Sequence, residues 1–163
     1  MAELNEEVYD TGLYAVTVDG WLVVMGDGWD FMDLIERDQA IRLSEGGEVI
    51  FLYTDDTPMS AELTSFAGGK EAWSITYDGS NGIGTLGLAG QLTDAMQAVI
   101  ADARKEQDAA GGADAEVDHL YGGVAELGHK LVGFRHDETL SAGKHLPILQ
   151  LQADAKGLEL TAE

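Results

Sequence analysis

Residues 48–78 read EVIFLYTDDTPMSAELTSFAGGKEAWSITYD, and this stretch constrains the fold more tightly than any other. It opens with the uninterrupted apolar run Val49 to Tyr53, the mark of a strand covered on both faces or placed mid-sheet. Met59, Ala61 and Leu63 then alternate with Ser60, Glu62 and Thr64. After Gly68-Gly69, Trp73, Ile75 and Tyr77 alternate with Ala72, Ser74 and Thr76. Side chains on a strand change face at every residue. A two-residue Gly68-Gly69 turn alone would pair Leu63 with Ser74 and set Trp73 opposite Thr64, mixing the faces. A three-residue loop, Gly68 to Lys70, pairs Leu63 with Ile75 and Ala61 with Tyr77. One face is then wholly apolar. A one-residue slip inverts every side chain, so the pattern predicts this register and an odd-length loop. The opposite face, with Glu62, Thr64, Ser74 and Thr76, is expected to be wet or used for binding.

The rest of the chain supplies elements to pack on that sheet. Residues 14–18 and 21–25 read as strands about Asp19-Gly20, a preferred pair for a type I′ turn. That hairpin pairs Val18 with Trp21, Val16 with Val23 and Tyr14 with Met25. Asp30 is placed to cap a helix over residues 31–44, which Gly46-Gly47 ends. Residues 79–90 are glycine-rich and expected to be irregular. A helix is predicted over residues 93–109, with Met96, Val99, Ile100 and Ala103 at helical spacing and Gly111-Gly112 as its stop. Asp118 is placed to cap a further helix to Val132, striped by Leu120, Val124, Leu127 and Leu131. Its glycines weaken it by roughly 1 kcal/mol each relative to alanine, unless they allow close packing on a neighbour. Residues 135–143 read as loop, and 146–151 as an edge strand or a cover. Strands first and helices later give an α+β fold, not a parallel α/β one. The expected architecture is a single domain over residues 1–163: an antiparallel sheet of about five strands with two to three helices on one face.

Composition limits function. The 163 residues include no cysteine, which excludes disulfides, cysteine-ligated zinc and a thiol nucleophile. The start, MAELNEEVYD, has neither the basic region nor the apolar core of a signal peptide. No apolar run approaches the roughly 20 residues of a membrane span. The expected location is the cytoplasm, with no membrane partner. Thirty acidic residues face nine basic ones, for a net charge of −21. Such a field repels nucleic acid and attracts cationic partners. It is equally a means of staying hydrated in a salty cytoplasm.

Motifs add little chemistry. Residues 82–87 match G-x-G-x-x-G, but the preceding strand belongs to an antiparallel hairpin and the glycines end before a helix begins, so no dinucleotide cofactor is expected. Asp27, Asp30 and Asp33, and the pair Asp55 and Asp56, lack calcium-loop spacing and are explained by turns and caps. No metal is expected. His119, His129, His136 and His145 show no recognised ligand spacing, and no catalytic residue is assigned. Trp29, in a Gly-Asp-Gly turn, is either packed or an exposed binding aromatic.

Three segments carry a resemblance: Trp73-Ser74-Ile75-Thr76-Tyr77-Asp78-Gly79, Val117-Asp118-His119-Leu120-Tyr121 and Gly133-Phe134-Arg135-His136-Asp137. They resemble a family of small, uncharacterised, acidic bacterial proteins. In that family a W-S-I-x-H-D-like strand end precedes a helix, and a helix ends in G-[FY]-x-H-D. Tyr77 stands where that pattern has histidine, and Gly122-Gly123-Val124 where it tends to have proline. The resemblance spans about residues 48–137 and implies an α+β domain without an established activity. Some small acidic bacterial domains are immunity proteins that neutralise toxins, an analogy only.

The function expected from these features is an acidic interaction module for a basic protein, as an inhibitor or immunity protein for a cationic toxin or as a mimic of nucleic-acid charge. Its candidate contacts are Asp55, Asp56, Glu62 and Asp78, with Trp29, His136 and Asp137. One alternative is a small hydrolase using carboxylates with His136 or His119. Another is a domain whose acidity serves only solubility in salt.

Overall fold

The computed structural model describes residues 13–26, 36–80, 82–134, 149–154 and 157–160. In chain order the described elements are β1 (Leu13–Val18), β2 (Trp21–Gly26), α1 (Arg37–Leu43), β3 (Glu48–Asp55), β4 (Ser60–Ala67), β5 (Lys70–Asp78) and β6 (Leu86–Gly90). They continue with α2 (Asp94–Ala110), a 3-10 turn (Gly112–Asp114), α3 (His119–Val132), β7 (Leu149–Asp154) and β8 (Gly157–Leu160). The fold is α+β. Residues 1–36 and 132–163 form one compact unit and residues 37–131 another.

The first unit holds a four-stranded antiparallel sheet in the order β2-β1-β7-β8. Its opening hairpin has the register read from the sequence: Val18 opposite Trp21, Val16 opposite Val23 and Tyr14 opposite Met25. The turn residues Asp19 and Gly20 have φ of 46° and 89°, as a type I′ turn requires. Val16, Val18 and Phe134 form its buried cluster, with Val23, Met25 and Val132 against them. The apolar segment near residue 150 is a strand, but an inner one, because β8 pairs on its far side. Asp27, Asp30, Asp33 and the start of the helix expected over 31–44 lie outside the described residues, as do residues 135–148. Among the described residues α1 begins only at Arg37, with Glu36 outside it, so the helix is shorter than the expected 31–44.

The second unit is a four-stranded meander, β3-β4-β5-β6, every neighbour antiparallel. The expected single sheet of about five strands is therefore replaced by two sheets of four among the described residues. Leu63 lies opposite Ile75 and Ala61 opposite Tyr77, as the alternation demanded. The odd residue is not in the loop, however. Gly68 and Gly69, with φ of 60° and 74°, make a two-residue turn closed by the pair Ala67 and Lys70. The ladder then shifts between Ser65 and Phe66, because Phe66 faces Glu71 while Ser65 faces Trp73. Ala72 is thus a bulge residue, and it restores the phase that the short turn would have inverted.

Helices α2 and α3 cover the apolar face. Ala61, Leu63, Trp73, Ile75 and Tyr77 from the sheet form one core with Met96, Ile100 and Ala103 of α2 and Leu120, Val124 and Leu127 of α3. Leu63 and Ile75 are completely buried, and each such side chain contributes roughly 1.5–3 kcal/mol. Both helices begin at a side-chain cap, α3 at the Asp118 read from the sequence and α2 at Thr93, which precedes its first residue. The Thr93 hydroxyl accepts from the Met96 amide at 3.3 Å. Asp118 Oδ1 accepts from the Leu120 and Tyr121 amides at 3.1 and 3.0 Å. Two of the three glycines of α3 serve close packing, while Gly122 has nothing within 4 Å of a Cβ position. A Cβ on Gly123 would lie 2.8 Å from Ala103 Cβ, and one on Gly128 would lie 2.9 Å from Leu52 Cδ2. Buried Gln107 joins the two helices, accepting from the His119 amide and donating to the Gly112 carbonyl, each at 2.8 Å.

The other face of the sheet differs from the expectation of a wet surface. Phe66 shares it with Glu62 and Thr64, and both Phe66 and Thr64 are buried. Helix α1 lies at this face. The Arg37 guanidinium sits over the Phe66 ring, 5.3 Å from its centroid. Ser44, just past the helix, is buried and accepts from the Gly68 and Gly69 amides at the hairpin tip. Two helices therefore cover one face, and the third lies on the opposite side.

Sequence reading also missed β6, because residues 86–90 sit within the glycine-rich run expected to be irregular. The glycines have a packing reason. A Cβ on Gly84 would lie 2.0 Å from the Asp78 carbonyl oxygen, and one on Gly90 would lie 2.2 Å from that of Ala72. The G-x-G-x-x-G match marks backbone laid closely along β5.

Candidate functional site

The meander brings three connections to one end. Asp55 closes β3 opposite Ser60, and Ser60 in turn lies opposite Asp78, the last residue of β5. The Gly79 amide donates to the Met59 carbonyl at 3.0 Å, holding the β3–β4 and β5–β6 connections together. The α2–α3 connection reaches the same end, because Tyr77 and Tyr121 bond across it.

These two tyrosines organise the carboxylates. The Tyr77 hydroxyl donates to Asp118 Oδ2 and accepts from the Gly84 amide at 2.7 Å. The Tyr121 hydroxyl donates to Asp56 Oδ1. Their rings are in tilted contact, with centroids 6.3 Å apart. On the opposite face of the sheet, where Tyr53 lies across from Glu62, the Tyr53 hydroxyl donates to Asp55 Oδ2 at 3.1 Å, while Asp55 Oδ1 accepts from the Thr57 amide at 2.9 Å. Each of Asp55, Asp56 and Asp118 is thereby held by a phenol.

The same contacts set the ionisation of the phenols. Burial, then the bond to Asp118, pushes Tyr77 up from 10.0 to about 12. Burial and Asp56 also push Tyr121 up, and burial with Asp55 raises Tyr53. A phenolate here would be desolvated and would face a carboxylate. These tyrosines are therefore neutral donors at physiological pH, not bases or nucleophiles. Asp78 is fully exposed, and its carboxyl is held below its ordinary range by the hydroxyl and amide of Ser80.

The sequence-predicted contacts divide accordingly. Asp55, Asp56 and Asp78 are together at this end, with Asp56 and Asp78 exposed. Glu62 is not among them. It faces α1, where Arg37 bonds both Glu62, at 3.1 Å, and Glu71. It also accepts from the Thr64 hydroxyl at 2.7 Å. Glu71 is held below its ordinary range by Ser74 and by Arg37. Trp29, His136 and Asp137 lie outside the described residues. His119 points to Glu106 of α2, with Nδ1 3.6 Å from Oε2. Among the described residues no three His, Asp or Glu side chains converge as a metal site.

Sequence reasoning missed Tyr53, Tyr77, Tyr121 and Asp118 as parts of the site. One signal was present: a tyrosine at a buried strand position needs a partner for its hydroxyl. Two of the segments that carry the family resemblance also meet here, since Tyr77 comes from the first and Asp118 and Tyr121 from the second. Comparison with family models, with curated proteins and with solved structures finds no match to this chain.

Proposed function

We propose that this protein is an acidic, cytoplasmic interaction module, and that the loop end of the meander receives a basic surface of a partner protein. One observation carries the reading. Asp55, Asp56, Asp78, Asp114, Glu116 and Asp118 occupy or border three connections of one unit, and those connections carry no lysine or arginine. The phenols of Tyr53, Tyr77 and Tyr121 fix three of the carboxylates, so they need not be ordered anew on binding. An inhibitor of a cationic toxin and a mimic of nucleic-acid charge are the concrete forms. No described helix is long and apolar enough to cross a membrane.

The test is capture of partners from native lysate at low salt, followed by elution in a salt gradient. Partners are expected to leave together at moderate salt, because surface attraction is screened over about 8 Å at physiological ionic strength. The charge-reversed variant D55K/D56K/D78K should capture none of them. Binding indifferent to salt and to that variant would overturn the proposal.

A further inference from the structure

The edge of the meander opposite β3 differs from the rest of this acidic chain. From Gly79 to Thr93 there is no Asp, Glu, Lys or Arg, the longest uncharged run in the sequence. Strand β6 lies at its centre and has β5 as its only strand neighbour among the described residues. Gly87, Leu88, Ala89 and Gly90 are exposed. Leu88, opposite Ile75, is one of the few large apolar side chains left in solvent, at 44% exposure.

Natural edge strands are protected by charge, proline, bulges or a covering element. Strand β6 has no charge and no proline, and its ladder to β5 runs without a register shift from Leu86 to Gly90. On the face away from α2 and α3, Gly87 and Ala89 lie opposite Thr76 and Ser74, so small uncharged groups flank the edge there. Among the described residues no strand pairs with the outer edge of β6, and four of its five residues are exposed.

Charge selects the occupant. A basic peptide would find no countercharge along this edge. A second copy, with a net charge of −21, presents the same uncharged edge, the surface at which repulsion between two acidic copies is least. We infer that β6 is the self-association edge of the protein: two copies pair β6 antiparallel about a two-fold axis, joining two meanders into one continuous sheet. Such a contact is isologous, with Leu88 beside its own counterpart near the axis. Backbone hydrogen bonds supply the attraction, as in other strand additions.

The inference is independent of the proposed function, and salt separates the two. A basic partner is lost as salt rises. Pairing of two acidic copies strengthens as salt screens their repulsion. The experiment is sedimentation of the full chain over a concentration series reaching about 1 mM, the range in which small interfaces assemble, at low salt and at about 1 M salt, where screening acts over only about 3 Å. The expected result is a monomer–dimer equilibrium that shifts to dimer in high salt. Placing like charges side by side at the axis with L88E should weaken it about a hundredfold. The unfolding midpoint of L88E shows whether the variant is folded. Amide exchange in Leu86–Gly90 should slow with concentration in the wild type. A chain that stays monomeric at the highest concentration and salt, or a dimer that L88E leaves intact, would overturn the inference.

Discussion

Tyr77→Phe isolates one hydroxyl that ties three parts of the candidate site together. The ring is 3% exposed and packs in the core beneath α2 and α3. Phenylalanine keeps that packing and deletes only the oxygen. Two hydrogen bonds go with it, one donated to Asp118 and one accepted from the Gly84 amide. Asp118 keeps its cap on α3 through Oδ1, so the helix start should survive. A half-buried amide left without its acceptor, and a carboxylate without its donor, cost about 1–3 kcal/mol together.

Alkaline pH probes the same hydroxyl through its ionisation, which burial opposes first and the bond to Asp118 second. The folded state raises Tyr77 from 10.0 to about 12, so folding favours the neutral phenol. That stabilisation is complete below pH 10.0 and is lost as pH climbs through about 12. At about 1.4 kcal/mol per tenfold change in proton affinity it amounts to roughly 2–3 kcal/mol. Urea unfolding followed by circular dichroism, at steps from neutral to strongly alkaline pH, tests both values. The variant should be less stable by about 2 kcal/mol at neutral pH, and the gap should narrow above pH 10.0 as the wild type loses its advantage. Tyr121 and Tyr53 are present in both proteins and cancel in the difference. A neutral-pH gap under about 0.5 kcal/mol, or one that stays constant into strong alkali, would refute the reasoning.

Three further changes probe the frame. Leu63→Ala, at a completely buried position facing both helices, should cost about 2–5 kcal/mol by urea unfolding. Gly90→Ala meets the Ala72 carbonyl oxygen at 2.2 Å and requires a side chain at φ of 74°, whereas Gly82→Ala, at φ of 107°, meets nothing within 4 Å. The first should lower the thermal midpoint well beyond the second. Deleting Ala72 should be tolerated, because the two-residue turn then continues into a regular ladder with Leu63 still opposite Ile75. Cross-strand proton contacts between those residues by NMR would confirm it, and an unfolded chain would not be compatible with the bulge assignment.

That last prediction marks how far the sequence could be read. Alternation in β4 and β5 specifies which residues face each other, because only one register collects the apolar side chains. It specifies only that an odd residue exists. The extra residue can sit in the loop or in the strand, and alanine at position 72 carries no signal for either. Strand β6 was hidden for a different reason. Its glycines are required by close approach to β5, a tertiary cause, and locally they look like loop. Phe66 did carry a signal: an apolar residue on the polar phase of β4 implied a cover, which α1 provides. Two of the three Tyr–Asp pairs had no spacing to betray them, since Tyr77 and Asp118 are 41 residues apart and Tyr121 and Asp56 are 65.

The placement of charge bears on why the chain is so acidic. Acidity that served hydration alone would gain most at an open strand edge, where a single carboxylate blocks pairing between copies. Among the described residues that edge carries no charge, while three carboxylates near the loop end are each held by a phenol that a merely hydrating residue would not need. An even coating would make every intermolecular contact respond to salt in the same sense. Here the two surfaces should respond in opposite senses, with capture of a basic partner weakening as salt rises and pairing of copies strengthening. One salt series on the full chain, read for both, therefore distinguishes a partitioned surface from a uniform one: parallel trends would point to adaptation alone, and divergent trends to two interfaces with separate chemistry.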